Sequence, residues 1–112
     1  MNTKQLARVF GALSSDIRLR ILNLVSAHRE MCVCELVDQL RMSQANISRH
    51  VSILRDAGLL RDRKIGTWVF VRVDEQAVEA ALKQLGGTIA ANHRTSARED
   101  PEARLASRCV AA

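Results

Sequence analysis

The chain has 112 residues, the size of one small domain, and 47% of them are hydrophobic, which is enough for a buried core. No segment approaches the roughly 20 apolar residues of a membrane span, and residues 1–13 lack the apolar run of a signal peptide. A cytoplasmic protein without a membrane partner is therefore expected. In that reducing compartment three cysteines indicate metal or redox chemistry rather than a disulfide framework.

The positive charge is concentrated in one segment. The whole chain carries a net charge of +5, and residues 41–73 alone hold seven basic and two acidic side chains. The segments on either side are nearly balanced. Because each contact with a phosphate releases condensed counterions, a basic segment of this kind is typical of a surface that binds a polyanion.

Apolar residues recur at helical spacing through the first half of the chain. They predict a helix over residues 3–13 and a second helix capped by Ser15 and Asp16. A short third helix is predicted near residues 32–40, and Ser43 is a natural N-cap for a fourth. In the fourth helix the buried positions are predicted to be Ile47, Val51 and Leu54.

After Gly58 the pattern changes to alternation, which predicts two short strands around Gly66. Asp74 and Glu75 open a last helix, which Gly86 and Gly87 are expected to end. Two helices, a turn, a reading helix and a hairpin follow one another in the order of a winged helix-turn-helix.

The predicted fold is therefore α+β, mainly α: a winged helix-turn-helix with flanking N- and C-terminal helices. Residues 1–87 are predicted to form the DNA-binding and dimerisation domain, and residues 88–112 a flexible tail. The first and last helices carry apolar stripes that a small winged core does not need. A homodimer would cover those stripes and present two reading helices to a palindromic site.

The polar face of the fourth helix and the hairpin form the predicted DNA-reading surface. Arg, Gln and Asn match the edges of G and A in the major groove, whereas the wing contacts the backbone or the minor groove. His50 is expected to orient the helix or touch phosphate, and Arg55 to pair with Asp56 or Asp62. The predicted DNA-binding residues are Ser43, Gln44, Asn46, Ser48, Arg49 and His50 on the helix, and Arg61, Arg63, Lys64 and Thr67 in the wing.

Several motifs in this order resemble the ArsR/SmtB family of winged-helix repressors. The similar segments are FGALSSDIRLRIL at 10–22, CVCEL at 32–36, SQANISRH at 43–50, LRDAGL at 54–59 and RKIGTWV at 63–69. The resemblance spans roughly residues 5–85, and its second motif resembles the arsenic-binding box of arsenical-resistance repressors. It implies a homodimer that represses its own resistance operon and releases double-stranded operator DNA when As(III) or Sb(III) binds Cys32 and Cys34.

The chain departs from the family pattern at one position. Members with this box often carry a third cysteine three residues after the second, where this chain has Val37. Cys109 in the tail is the candidate third ligand, from the same or the other subunit. A cellular thiol or water is the alternative.

Soft thiolates suit a soft metalloid centre. If Cys32 and Cys34 both lay within a helix, their side chains would point about 200° apart. Binding of both thiols to one arsenic atom is then expected to distort the start of the third helix, which packs on the reading helix.

Three other functions stay open. A zinc- or thiol-redox-responsive repressor would keep the fold and use the same cysteines, although zinc takes four ligands and only His28 is close in sequence. A small cysteine-dependent enzyme is disfavoured, because no acid–base constellation or phosphate loop accompanies the thiols. A protein-binding adaptor would lack salt-dependent DNA affinity. The sequence thus predicts a regulator and not an enzyme.

Overall fold

The computed structural model describes residues 1–96, apart from the side chains of residues 88 and 91–96. Cys109 and most of the predicted tail lie outside the described residues. Met1–Ala81 form one compact unit, and a second unit begins at Leu82. The elements in chain order are α1 (Thr3–Ala12), α2 (Asp16–His28), β1 (Met31–Cys32), α3 (Val33–Leu40), α4 (Gln44–Asp56), β2 (Leu60–Ile65), β3 (Trp68–Val73) and α5 (Glu75–Ser96).

The helix starts follow the predicted capping residues. Ser15 Oγ accepts a hydrogen bond from the backbone N–H of Arg18 at 3.4 Å, and Ser43 Oγ accepts one from Asn46 at 3.2 Å. These bonds satisfy backbone donors that have no partner within the first turn of a helix. Both predicted N-caps are confirmed.

Three antiparallel strands in the order β1-β3-β2 form the sheet. The predicted hairpin is β2 and β3, and Gly66 adopts a φ of 60° in the turn between them. The strand β1 was not predicted; it has two residues and pairs Met31 with Val71 and Cys32 with Phe70. Two residues are too few to display an alternating pattern.

The core of the first unit lies where α2, α3, α4 and the sheet meet. The three positions predicted for the inner face of α4 are buried, as are Ile21 and Val25 of α2. Leu36 of α3 and Leu59 before β2 are fully buried with them. This packing fixes α3 against α4 and thereby fixes the segment that carries the first two cysteines.

The expected end of the last helix at Gly86 and Gly87 is wrong, because α5 continues to Ser96. A glycine ends a helix when it takes a left-handed conformation, and neither of these has a positive φ. Within a helix each costs only about 1 kcal/mol relative to alanine. The boundary between residues 87 and 88 stays a prediction. None of the helices in residues 1–96 is long and apolar enough to cross a membrane.

Candidate thiol site and nucleic-acid interface

Cys32 ends β1 and is the N-cap of α3, with extended backbone angles (φ −72°, ψ 145°). Its Sγ accepts a hydrogen bond from the backbone N–H of Cys34 at 3.3 Å, and its own N–H donates to the Glu35 carboxylate at 3.0 Å. The arrangement is a capping box in which sulfur takes the place of the usual hydroxyl. Sulfur is a weak acceptor, so the start of α3 depends on a weak cap.

The expectation that the side chains of Cys32 and Cys34 point about 200° apart on one helix is wrong. Only Cys34 belongs to α3, so the angle between two helical residues does not apply to the pair. Cys32 is 5% exposed, whereas Cys34 is open to solvent. Interaction with the Cys32 side chain is the main cause that raises the pKa of the Cys34 thiol, with some loss of hydration and the nearby Glu35 carboxylate adding to it. The backbone nitrogen of Cys34 lies 3.3 Å from the Cys32 sulfur, and we call these two cysteines the thiol pair.

No cluster of three or more His, Cys, Asp or Glu side chains suited to a metal ion occurs within the described part of the chain. His28 faces back onto its own helix, where Nδ1 lies 2.8 Å from the carbonyl oxygen of Leu24. The role of Cys109 as third ligand stays a prediction, as does the zinc alternative.

A groove of about 420 Å³ joins the thiol pair to the predicted DNA-reading surface. We call it the thiol groove. One wall is the start of α3, the second is α4, and the third is the hairpin. Four of the predicted DNA-binding residues line it together with both cysteines: Gln44, Ser48, Lys64 and Thr67. The sequence placed these residues on separate motifs, and the fold brings them to one surface.

The predicted reading face of α4 is exposed at Gln44, Asn46, Ser48 and Arg49. Ser43 is exposed as well, although its hydroxyl is engaged in capping the helix. This face therefore presents amide, hydroxyl and guanidinium groups of the kind that read base edges and phosphates.

His50 differs from its neighbours because it is half-buried. Its Nδ1 lies 3.3 Å from Nη1 of Arg18. Burial, followed by the charges of Arg18 and Arg49, lowers the pKa of the His50 imidazole. The geometry supports a role in orienting α4, and a phosphate contact stays a prediction.

Acidic partners hold three of the arginines in the basic segment. Arg55 pairs with Asp62 at 3.1 Å and more distantly with Asp56, as predicted. Arg61 donates to Asp74 at 2.9 Å. The Ala77 N–H and Arg61 together hold the pKa of that carboxyl below its usual range.

Arg63 has a partner that the sequence did not reveal. Its Nε donates to the Glu30 carboxylate at 2.9 Å, and its Nη2 donates to the second carboxylate oxygen. This pair lowers the pKa of Glu30 and raises that of Arg63. By contrast, Arg49 and Lys64 form no ion pair within the described residues, so they present the least compensated charge on the predicted DNA surface.

Residues 15–62, which run from the cap of α2 into β2, match the bacterial regulatory protein arsR family. The chain is also 40% identical over 84 residues to the arsenic resistance transcriptional regulator ArsR2 of Pseudomonas putida, covering 75% of this chain and 73% of that protein. The chain belongs to the ArsR family. Members of this family are transcriptional regulators and not enzymes, in agreement with the prediction from sequence.

Two further comparisons place the chain within the ArsR family. It is 42% identical over 84 residues to ArsR1 of Pseudomonas putida, an arsenic resistance transcriptional regulator, and the match spans 66% of that protein and 75% of this chain. An ArsR-like transcriptional regulator from Rhodococcus sp. RHA1 superposes with a TM-score of 0.75 at 26% identity, over 84% of this chain and 88% of that one.

A second structural comparison concerns assembly. The winged helix-turn-helix domain Mb0332 from Mycobacterium bovis, a homodimer in solution, superposes with a TM-score of 0.63 at 26% identity, over 87% of each chain. The predicted winged helix-turn-helix fold is thus confirmed. The individual DNA-binding and thiol residues stay predictions.

Proposed function

We propose that this ArsR-family protein is a cytoplasmic repressor that binds double-stranded operator DNA as a homodimer and releases it when As(III) or Sb(III) binds the thiol pair. The observation that carries the proposal is the thiol groove, because its walls hold both cysteines and four predicted DNA-binding residues. A metalloid bound at the thiol pair would lie directly beside the side chains that meet DNA. The names of the two Pseudomonas putida relatives support arsenic as the signal.

The chemistry at the thiol pair is a condensation. Arsenous acid, As(OH)₃, reacts with two thiols to form two As–S bonds, and each bond releases one water molecule. The third hydroxyl stays on arsenic or is displaced by a further thiol, from Cys109 or from a small cellular thiol, with release of a third water. Thiol sulfur suits this soft centre better than oxygen or nitrogen ligands do.

Metalloid binding would weaken the start of α3. The sulfur of Cys32 accepts the capping hydrogen bond from Cys34 N–H, and a bond from that sulfur to arsenic reorients its lone pairs. Losing an N-cap typically costs about 1 kcal/mol. Because Leu36 of α3 is fully buried in the core that also holds α4, distortion of α3 would move the reading helix.

The homodimer is proposed from α5 and the solved relative. Leu82 and Ile89 on α5 are large apolar side chains with more than half of their surface exposed, at 55% and 58%. A second copy would cover such residues, since exposed apolar stripes on helices favour association. The homodimeric Mb0332 domain supports the same assembly.

The test is fluorescence anisotropy of labelled DNA from upstream of the protein's own gene, with reduced protein bound and arsenite titrated in. We expect release at micromolar arsenite and no release from Cys32→Ser or Cys34→Ser protein that still binds the DNA. Release from either variant would contradict the assignment of the thiol pair.

Parallel titrations with zinc and with an oxidant address the alternative signals. The two cysteines are both free thiols and line the same groove, so a thiol-redox response would use the same residues. Release by the oxidant that a reductant alone reverses, without any effect of arsenite, would favour the redox repressor. Release by zinc alone would favour the zinc repressor.

A further inference from the structure

The strand β1 places Cys32 in a row that crosses the sheet to the wing. Cys32 pairs with Phe70 on β3, and Phe70 pairs with Arg63 on β2. Directly opposed residues of antiparallel strands project from the same face of a sheet. The buried thiol and the wing arginine therefore stand in one row, about 10 Å apart by two interstrand spacings.

Two contacts hold Arg63 in this row. Its guanidinium donates two hydrogen bonds to the Glu30 carboxylate and lies 5.4 Å from the centroid of the Phe70 ring. A two-point arginine–carboxylate pair fixes orientation as well as distance, and the aromatic ring attracts the cation. Two of the Arg63 nitrogens are thus engaged within the protein, while 59% of the side chain stays exposed.

Both partners of Arg63 are tied to Cys32. Glu30 precedes Cys32 by two residues, in a turn where Arg29 has a φ of 67° and Glu30 N–H donates to the His28 carbonyl at 2.8 Å. Phe70 is the strand partner of Cys32. Because β1 is held by only two residue pairs, a ligand that draws the Cys32 sulfur into the thiol groove would displace Glu30 and Phe70 together.

We infer that Arg63 is a positioning residue: Glu30 and Phe70 hold it, so that a movement of Cys32 is passed on to the wing. While the contacts of Arg63 with Glu30 and Phe70 are intact, Arg63 is withheld from DNA phosphates. The inference rests on the proposed function and adds to it a second route from the thiols, through the sheet to the wing. It reassigns Arg63, which the sequence placed among the DNA contacts.

The test compares Glu30→Gln with Asp38→Asn in the full chain. Each substitution removes one negative charge close to the thiol pair, but Asp38 has no ion pair among the described residues, which makes it the matched control. Anisotropy gives the operator Kd with and without arsenite at several salt concentrations. The ratio of the two Kd values is the release factor, and the dependence of Kd on salt counts phosphate contacts.

In wild-type and Asp38→Asn protein we expect the same release factor. In Glu30→Gln it should fall by about fivefold or more, within the range of ordinary allosteric coupling. The salt dependence of Glu30→Gln should also steepen, by up to about 1.8 for a dimer that gains two phosphate contacts. Arg63→Lys keeps the charge but loses the planar fork, so its release factor should fall as well, and a thermal melt shows that it is folded.

Two results separate the inference from the function on which it rests. A responsive wild type, together with Glu30→Gln and folded Arg63→Lys proteins that keep the full release factor, would overturn the inference alone. A wild-type protein that ignores arsenite while binding DNA would overturn the proposed function and this inference with it.

Discussion

Arg18 and His50 join α2 to the reading helix, with Arg18 Nη1 lying 3.3 Å from His50 Nδ1. The same guanidinium donates to the carbonyl oxygens of Ala12 at 2.7 Å and Gly11 at 3.3 Å, at the end of α1. Arginine has only donors, so Nδ1 must accept this bond and carry no proton. The contact between α2 and α4 therefore requires a neutral His50.

Stability should fall when His50 is protonated. Burial, followed by the charges of Arg18 and Arg49, lowers the pKa of His50 in the folded protein below its ordinary value of 6.5. As pH falls past about 6.5, the unfolded chain therefore binds more protons at this position than the folded one. The stabilisation is fully present above that pH and is lost as pH falls through the folded pKa. We expect the thermal midpoint of wild type to drop more steeply from pH 7.5 to 5.5 than that of His50→Gln. Parallel pH profiles would contradict this.

Removing the Arg18 side chain should destabilise the protein. Arg18→Gln loses the bonds to the end of α1 and the bond to His50, and hydrogen bonds to a charged group contribute about 2 kcal/mol. Urea unfolding should show a loss of that order. A double-mutant cycle with His50→Gln isolates the shared contact, and strictly additive losses would show that the two side chains do not stabilise each other.

Two substitutions of Cys32 should separate its role as the N-cap of α3 from its role as a ligand. Serine at this position keeps an N-cap acceptor, whereas alanine removes it at a cost of about 1 kcal/mol. We expect Cys32→Ser to be more stable than Cys32→Ala by about that amount in urea unfolding, while neither protein releases DNA with arsenite. Equal stabilities would show that the hydrogen bond from Cys34 N–H to residue 32 contributes nothing to α3.

Much of the fold was predictable because its signals are local. Ser15, Ser43 and the inner face of α4 lie within single helices, and the hairpin closes around Gly66. The missed features depend on distant residues. Cys32 meets Phe70 across the sheet, and Glu30 meets Arg63 from a position 33 residues away. Neither contact follows a periodic pattern or a fixed sequence spacing, so it cannot be predicted from the sequence pattern.

The geometry of the thiol pair was also beyond prediction from local sequence. The motif indicated the two cysteines as a candidate site, which stays a prediction, but the geometry expected for them assumed that both belong to α3. Whether residue 32 is the first helical residue or the N-cap depends on its pairing with β3. That pairing is a tertiary contact, so the helix boundary could not be placed to the residue from local pattern.

Substitution of Cys109 tests the third bond to arsenic. If Cys109 completes a three-thiolate site, Cys109→Ser should raise the arsenite concentration for half-release by about tenfold, equivalent to about 1.4 kcal/mol of binding free energy. Added glutathione should then restore part of the response. The titration uses the full chain, with Cys32→Ser as the non-responsive control. An unchanged midpoint in thiol-free buffer would assign the third position to hydroxide.

Lys64 and Arg61 should differ in their effect on the salt dependence of DNA binding. Lys64 lines the thiol groove and has no ion pair among the described residues, whereas Arg61 is held by Asp74 at 2.9 Å. Each phosphate contact contributes about 0.9 to the slope of log K against log salt. Lys64→Gln should therefore lower the slope by about 1.8 in a dimer.

Arg61→Gln should lower the slope by less, because Asp74 already neutralises much of the charge that would meet phosphate. The measurement is operator affinity by anisotropy between 50 and 200 mM salt, with circular dichroism as the check on folding. Equal decreases in the two variants would mean that Arg61 leaves Asp74 when DNA binds. The wing would then exchange an internal ion pair for a phosphate contact, and Asp74→Asn should strengthen DNA binding.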